Sequence, residues 1–135
     1  VRLPGSGGAA DMAASCERTI LIVPHDKKKF SEKLGYVTSP GHLDGSPNAR
    51  FNAGMQGKGP YRVITTKGVF DFEEQSKRMR IIHTFPGETV DSIKAATGFE
   101  LLVAPDVSEF APPTVEEIRL IREEIDPTGA FVKRA

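Results

Sequence analysis

Residues 5–23 read Gly5-Ser-Gly-Gly-Ala-Ala-Asp-Met-Ala-Ala-Ser-Cys-Glu-Arg-Thr-Ile-Leu-Ile-Val23, and the fold class follows from their order. Gly5, Gly7 and Gly8 come after a short extended segment, and residues 9–17 then predict a helix. Residues 20–23 form a continuous, β-branched apolar run, which predicts a strand covered on both faces, as in a parallel α/β sheet. A glycine loop that opens a helix offers unpaired backbone N–H groups at the positive end of the helix dipole. That geometry suits a phosphate, or an oxygen that turns negative during a reaction. The structural alternative is a plain strand-to-helix turn. Gly5-x-Gly7-Gly8 lacks the second spacing of a dinucleotide fingerprint, and no Gly-Lys-Ser/Thr follows to make a phosphate loop. Asp11 is expected to cap the first helical turn.

Outward from this stretch, Pro24-His25-Asp26 ends the strand, and His25 falls where α/β proteins place ligands. Lys27, Lys28 and Lys29 form a basic run, expected to be a solvated turn, with contact to a ligand phosphate as the alternative. Residues 30–34 predict a helical turn stopped by Gly35, and residues 36–38 a short strand. Residues 41–60 hold five Gly, two Pro and two Asn with little periodicity, the mark of a long loop with a function or with mobility. Residues 61–66, 68–72 and 79–84 predict three strands, the last two joined as a β-hairpin by the polar residues 73–77. A helix over 89–97, stopped by Gly98, precedes a strand over 99–103 closed by Pro105. The last helix, 114–125, opens on a Thr114/Glu117 capping box and lines Val115, Ile118, Ile121 and Ile125 on one face.

Lys+Arg and Asp+Glu both total 18, so the basic excess of a nucleic-acid binder is missing. No apolar run is long enough to span a bilayer, and neither nucleic acid nor membrane is an expected partner. Cys16 is the single cysteine, which excludes an internal disulfide and predicts a place on the buried face of the first helix. A cytoplasmic setting is the default. The spacing of His25, His42 and His83 gives no metal pattern, and His42 and His83 are expected to be structural. Ser6 and Ser39 lack the setting of a nucleophile elbow. The acidic pairs 73–74, 116–117 and 123–124 fall on turns and exposed faces.

Taken in order, these segments resemble the C-terminal half of the β subunit of family I CoA-transferases. The matching pieces are Gly5-Ser-Gly-Gly-Ala-Ala-Asp11, Thr19-Ile-Leu-Ile-Val-Pro-His25 and Val37-Thr-Ser-Pro-Gly41, then Arg62-Val-Ile-Thr-Thr-Lys-Gly-Val-Phe-Asp-Phe72, Pro86-Gly-Glu-Thr-Val90 and Thr97-Gly-Phe-Glu-Leu101. Tyr36-Val-Thr-Ser-Pro-Gly41 and Glu123-Glu-Ile-Asp-Pro127 are similar to the glutaconate CoA-transferase branch. The resemblance implies an α/β fold, part of the open sheet of the CoA-transferase (NagB/RpiA-like) type, with a β-hairpin and a C-terminal helix. It implies an α subunit as partner and CoA moved between an acyl-CoA and a carboxylic acid, possible acids including a dicarboxylate such as glutaconate. In the family a β-subunit glutamate carries the acyl group and then CoA, as a mixed anhydride and a glutamyl-CoA thioester. The glycine loop matches the segment that faces the thioester oxygen, which assigns that role to backbone N–H groups of Gly7, Gly8 and Ala9. The expected contacts to coenzyme A, a substrate rather than a resident cofactor, are Gly5, Ser6 and His25.

The family's glutamate precedes the glycine loop, and no Glu-Asn-Gly-like segment occurs in residues 1–135. The chain is therefore expected to be the C-terminal portion of a single β-subunit domain, partnered by the N-terminal part of its own subunit and inactive alone. Two other functions stay open. One is an acyl-CoA hydrolase on the same fold, acting on a ring-containing CoA ester with water in place of the glutamate. The other is a non-catalytic module that holds the α subunit.

Overall fold

The computed structural model describes Gly5 and residues 7–132. The extended segment expected before Gly5, and Ser6, lie outside the described residues. Helix α1 (Gly8–Ser15) leads into strand β1 (Thr19–Val23), as the sequence predicts. A short helix α2 (Ala49–Asn52) interrupts the glycine-rich loop, followed by β2 (Pro60–Thr65), β3 (Gly68–Phe72) and β4 (Met79–Thr84). Helix α3 (Val90–Ala95), β5 (Leu102–Glu109) and α4 (Val115–Leu120) complete the order, and α4 continues as a π-helical turn, Ile121–Ile125.

The strands form one mixed sheet in the order β1-β2-β3-β4-β5. The outer pairs β1/β2 and β4/β5 are parallel, and β2/β3 and β3/β4 are antiparallel. The predicted β3–β4 hairpin is present. Glu73 closes its turn by accepting from the Ser76 N–H at 2.6 Å and the Ser76 hydroxyl at 2.7 Å. The core lies on the inner strands: Phe70, Ile81 and Ile93 are fully enclosed, with Phe30, Val63 and Leu101 around them. Each such side chain contributes about 1.5–3 kcal/mol by leaving water.

Several expectations are corrected. Residues 30–34 form no helical turn: the turn lies at 27–29, and residues 30–34 bend away from it, with Ser31 bridging to Gly98. Gly98 donates its N–H to the Phe30 carbonyl at 2.6 Å, and a side chain there would press on that carbonyl. Residues 36–38 are not a strand. The strand expected to close at Pro105 instead runs through it to Glu109. Its register jumps from Ile81↔Val103 to His83↔Ser108, so Pro105 sits in a bulge that asks no ladder N–H of it. Strand β1 is not covered on both faces: Ile20 and Leu21 are about half exposed and Ile22 is 82% exposed. The apolar face of the last helix is open too, with Val115 and Ile125 exposed, although its Thr114/Glu117 capping box is present. Cys16 is exposed rather than buried, because α1 ends there and turns its last residues outward.

Candidate functional site

Gly7 is the N-cap of α1, with φ +52° and ψ −146°, a conformation that side chains resist. A Cβ placed on Gly5, Gly7 or Gly8 would meet nothing within 4 Å among the described residues. Gly7 is therefore required by backbone shape, and the other two leave room for close approach. The helix carries no side-chain N-cap hydrogen bond. Asp11 lies in the first turn and complements the dipole there, in place of the capping role expected of it. Gly8 and Ala9 thus begin an exposed helix whose first N–H groups have no intrahelical acceptor.

The other end of α1 is tied down. The N–H groups of Gly57 and Lys58 donate to the carbonyls of Ala14 and Glu17, at 3.1 and 3.0 Å. Thr19 N–H donates to the Gly59 carbonyl at 3.2 Å, and Thr19 pairs with Pro60 in the sheet. So α1 ends at the edge where β1 and β2 begin, and its glycine end lies one helix length, about 12 Å, away.

His25 follows β1 at the opposite edge of the sheet and is only 6% exposed. Its ring stacks on Phe30 at 4.3 Å and Phe70 at 5.5 Å. Nδ1 is 3.2 Å from the Thr65 hydroxyl and Nε2 is 3.0 Å from that of Thr97. Burial, aided by nearby Lys67, pushes the imidazole pKa below its ordinary value and keeps the ring neutral. With both nitrogens engaged and the ring enclosed, any contact between this turn and a ligand falls to its backbone and surface side chains. Among the described residues no hydrogen bond joins His25 to the glycine loop.

The basic run is a solvated turn, as expected: Asp26 accepts from the N–H groups of Lys28 and Lys29 and pairs with the Lys29 ammonium at 3.2 Å. His42, at 3.0 Å from the Pro60 carbonyl and edge-on to Phe72, and His83, at 3.1 Å from the Ser108 hydroxyl, are structural. Two residues at the His25 edge were missed in the sequence. Lys67 pairs with Glu88 at 2.7 Å, and the second Glu88 oxygen accepts from the Ser92 hydroxyl at 2.7 Å. These partners hold the Glu88 pKa below the usual carboxylate range, so Glu88 is an ionised brace with both oxygens occupied. The four-residue spacing from Glu88 to Ser92 at a helix start was the available signal. No group of metal-ligating side chains occurs among the described residues, and no helix of theirs is long and apolar enough to cross a membrane. A cleft of about 650 Å³ between the 42–58 loop and the hairpin turn includes none of the expected site residues. Among the described residues, the exposed end of α1 offers backbone N–H groups without helical acceptors.

Residues 1–96 match the model of a family described as coenzyme A transferase. The chain is 42% identical over 133 residues to the β subunit of glutaconate CoA-transferase from Acidaminococcus fermentans, covering 98% of this chain and 49% of that protein. The crystal structure of glutaconate coenzyme A-transferase from that organism superposes with a TM-score of 0.87 at 40% identity, over all of this chain and 51% of that one. The β subunit of 3-oxoadipate CoA-transferase from Pseudomonas knackmussii is 34% identical, over 90% of this chain and 46% of its own length. The cholesterol ring-cleaving hydrolase IpdB subunit of Rhodococcus jostii is 32% identical, over 91% of this chain and 47% of its own. The chain spans about half the length of the curated relatives it matches.

Proposed function

The chain belongs to the coenzyme A transferase family, and from that membership we propose that it works as part of the β subunit of a two-subunit CoA-transferase. Its share of the reaction is to hold the thioester oxygen of an acyl-CoA. The observation that carries this is the glycine loop on an exposed helix end with no side-chain cap, whose first N–H groups, those of Gly7, Gly8 and Ala9, are proposed to serve an oxyanion.

In the reaction proposed, a glutamate oxygen attacks the acyl carbon and CoA thiolate leaves, giving a mixed anhydride. The thiolate then attacks the glutamyl carbonyl, releasing the first carboxylate and leaving a glutamyl-CoA thioester. An acceptor carboxylate runs both steps in reverse. Each addition places negative charge on a carbonyl oxygen, which is the moment when the loop's N–H groups act. The glutamate is assigned to subunit residues outside 1–135. Glu88 is excluded from the role because Lys67 and Ser92 occupy its oxygens. Gly5 and Ser6 are proposed to contact coenzyme A, which enters as substrate, and the partner is a CoA-transferase α subunit. The enclosed His25 is proposed to shape the turn after β1 rather than touch CoA with its ring. The setting proposed is cytoplasmic, in keeping with a single exposed thiol. The acid is proposed to be a small carboxylate of the glutaconate kind, on the likeness to that relative.

A second reading is favoured by the likeness to the ring-cleaving hydrolase subunit: opening of a ring in a ring-containing CoA ester by water at the same loop. Intact-mass measurement on the complete two-subunit protein, incubated with glutaryl-CoA and then acetyl-CoA without acceptor acid, separates the two. A CoA adduct on the β chain supports the transferase. Free acid and free CoA without an adduct show attack by water in place of the glutamate, and an inert protein with both esters contradicts the transferase and leaves the ring-cleaving and partner-binding readings.

A further inference from the structure

Arg50 is buried, at 8% exposure, and no carboxylate pairs with it among the described residues. Burial lowers its pKa from the ordinary value. Its guanidinium is instead spread over backbone carbonyls. Nε donates to Gly57 at 2.9 Å and Nη1 to Gly41 at 2.6 Å, while Nη2 donates to Ala13 at 2.6 Å and Ala14 at 3.3 Å. A buried cation without an anion is costly unless its donors are satisfied, and here four oxygens from three chain segments satisfy them. Two of those oxygens are the carbonyls that the last turn of α1 leaves without helical partners, where a cation also suits the helix dipole.

The surrounding sequence is shaped to this contact. Gly59 has φ +91°, and a Cβ there would crowd the Arg50 Cδ, Nε and Cζ at 3.0–3.3 Å. A Cβ on Gly57 would collide with the Cys16 carbonyl, so glycine is what lets the loop close on the end of α1. Helix α1 needs such an anchor because it buries no residue of its own.

We propose that Arg50 is the positioning residue of the glycine-loop site, clamping the C-terminal turn of α1 to the 41–59 loop and so fixing the direction of the N–H groups at its other end. This rests on the reading of that loop as the oxyanion site. Lysine cannot replace it, because one ammonium cannot reach carbonyls on three sides as the planar fork does.

The test uses the complete two-subunit enzyme with Arg50→Lys and Arg50→Gln. Formation of the covalent CoA adduct in a single turnover falls about 10- to 100-fold in both variants, as expected for a reacting group misplaced by about an ångström. The acyl-CoA concentration giving half the maximal rate changes less than threefold. Hydrogen exchange of the amides of residues 12–16 quickens at least tenfold, while those of β3 and β4 keep their protection. An assembled Arg50→Lys enzyme with wild-type adduct rate and wild-type exchange in α1 overturns the proposal, and so does protection lost evenly across the sheet. If the wild-type enzyme forms no adduct, the reading of the site falls. The clamp is then decided by exchange alone: it stands when protection is lost only in α1 and fails otherwise.

Discussion

The middle of the sheet and its β1 flank are built from the same residue types and meet water in opposite ways. On β3 and β4, Phe70 and Ile81 are wholly enclosed, whereas Ile20 and Ile22 on β1 are 58% and 82% exposed. The inner strands have partners on both sides and α3 against them, through the buried Ile93. Strand β1 pairs on one side only. The difference shows that the centre holds itself together, while the flank presents apolar surface of the kind that meets other polypeptide. The glycine loop belongs to the flank, so its placement depends on the clamp at the far end of α1 rather than on core packing.

The comparison breaks most visibly at its centre. Phe70→Ala removes a fully buried ring that touches both His25 and Phe30. Chemical denaturation is expected to show a loss of about 3–5 kcal/mol. An unchanged midpoint would mean that the core lies elsewhere.

The next effect sharpens the comparison through pH. Burial holds both His25 and His42 below the ordinary histidine pKa. Their native forms resist protons that the unfolded chain accepts. Stability is therefore fully present above about pH 6.5 and is lost as pH falls below it, by up to about 1.4 kcal/mol per pH unit for each group. The carboxylates with lowered pKa values, such as Glu88, act at lower pH, beneath their unperturbed range. His25→Gln should flatten the slope between pH 5 and 6.5 in a denaturation series, and a slope equal to wild type would contradict the burial argument.

The smallest effect is at the flank. Ile22→Ser in this chain alone should change stability by less than about 0.5 kcal/mol, because the side chain already meets water. In the complete enzyme the same change should weaken assembly, read by sedimentation. A large loss in the isolated chain would show that β1 is covered.

Local signals were legible in the sequence, and distant ones were not. Strands β3 and β4 and the Thr114/Glu117 box follow from alternation and capping, which need only neighbouring residues. The glycine loop opening α1 was readable for the same reason, since Gly7 requires its backbone conformation locally. The apolar run of β1 meets water within this chain, because such a run does not say which segment covers it. Pro105 was read as a stop because the bulge that accommodates it depends on pairing with β4. Arg50 was invisible, since its acceptors at residues 13, 14, 41 and 57 come together only in the fold.

The central claim is that backbone N–H groups of the loop hold the reacting oxygen, and Ala9→Pro tests it most directly. Proline in a first helical turn deletes one N–H and keeps the helix. In the assembled two-subunit enzyme, with melting temperature and acyl-CoA binding as in wild type, the account predicts a fall of about 100- to 1,000-fold in the rate of adduct formation. A rate within threefold of wild type would contradict it.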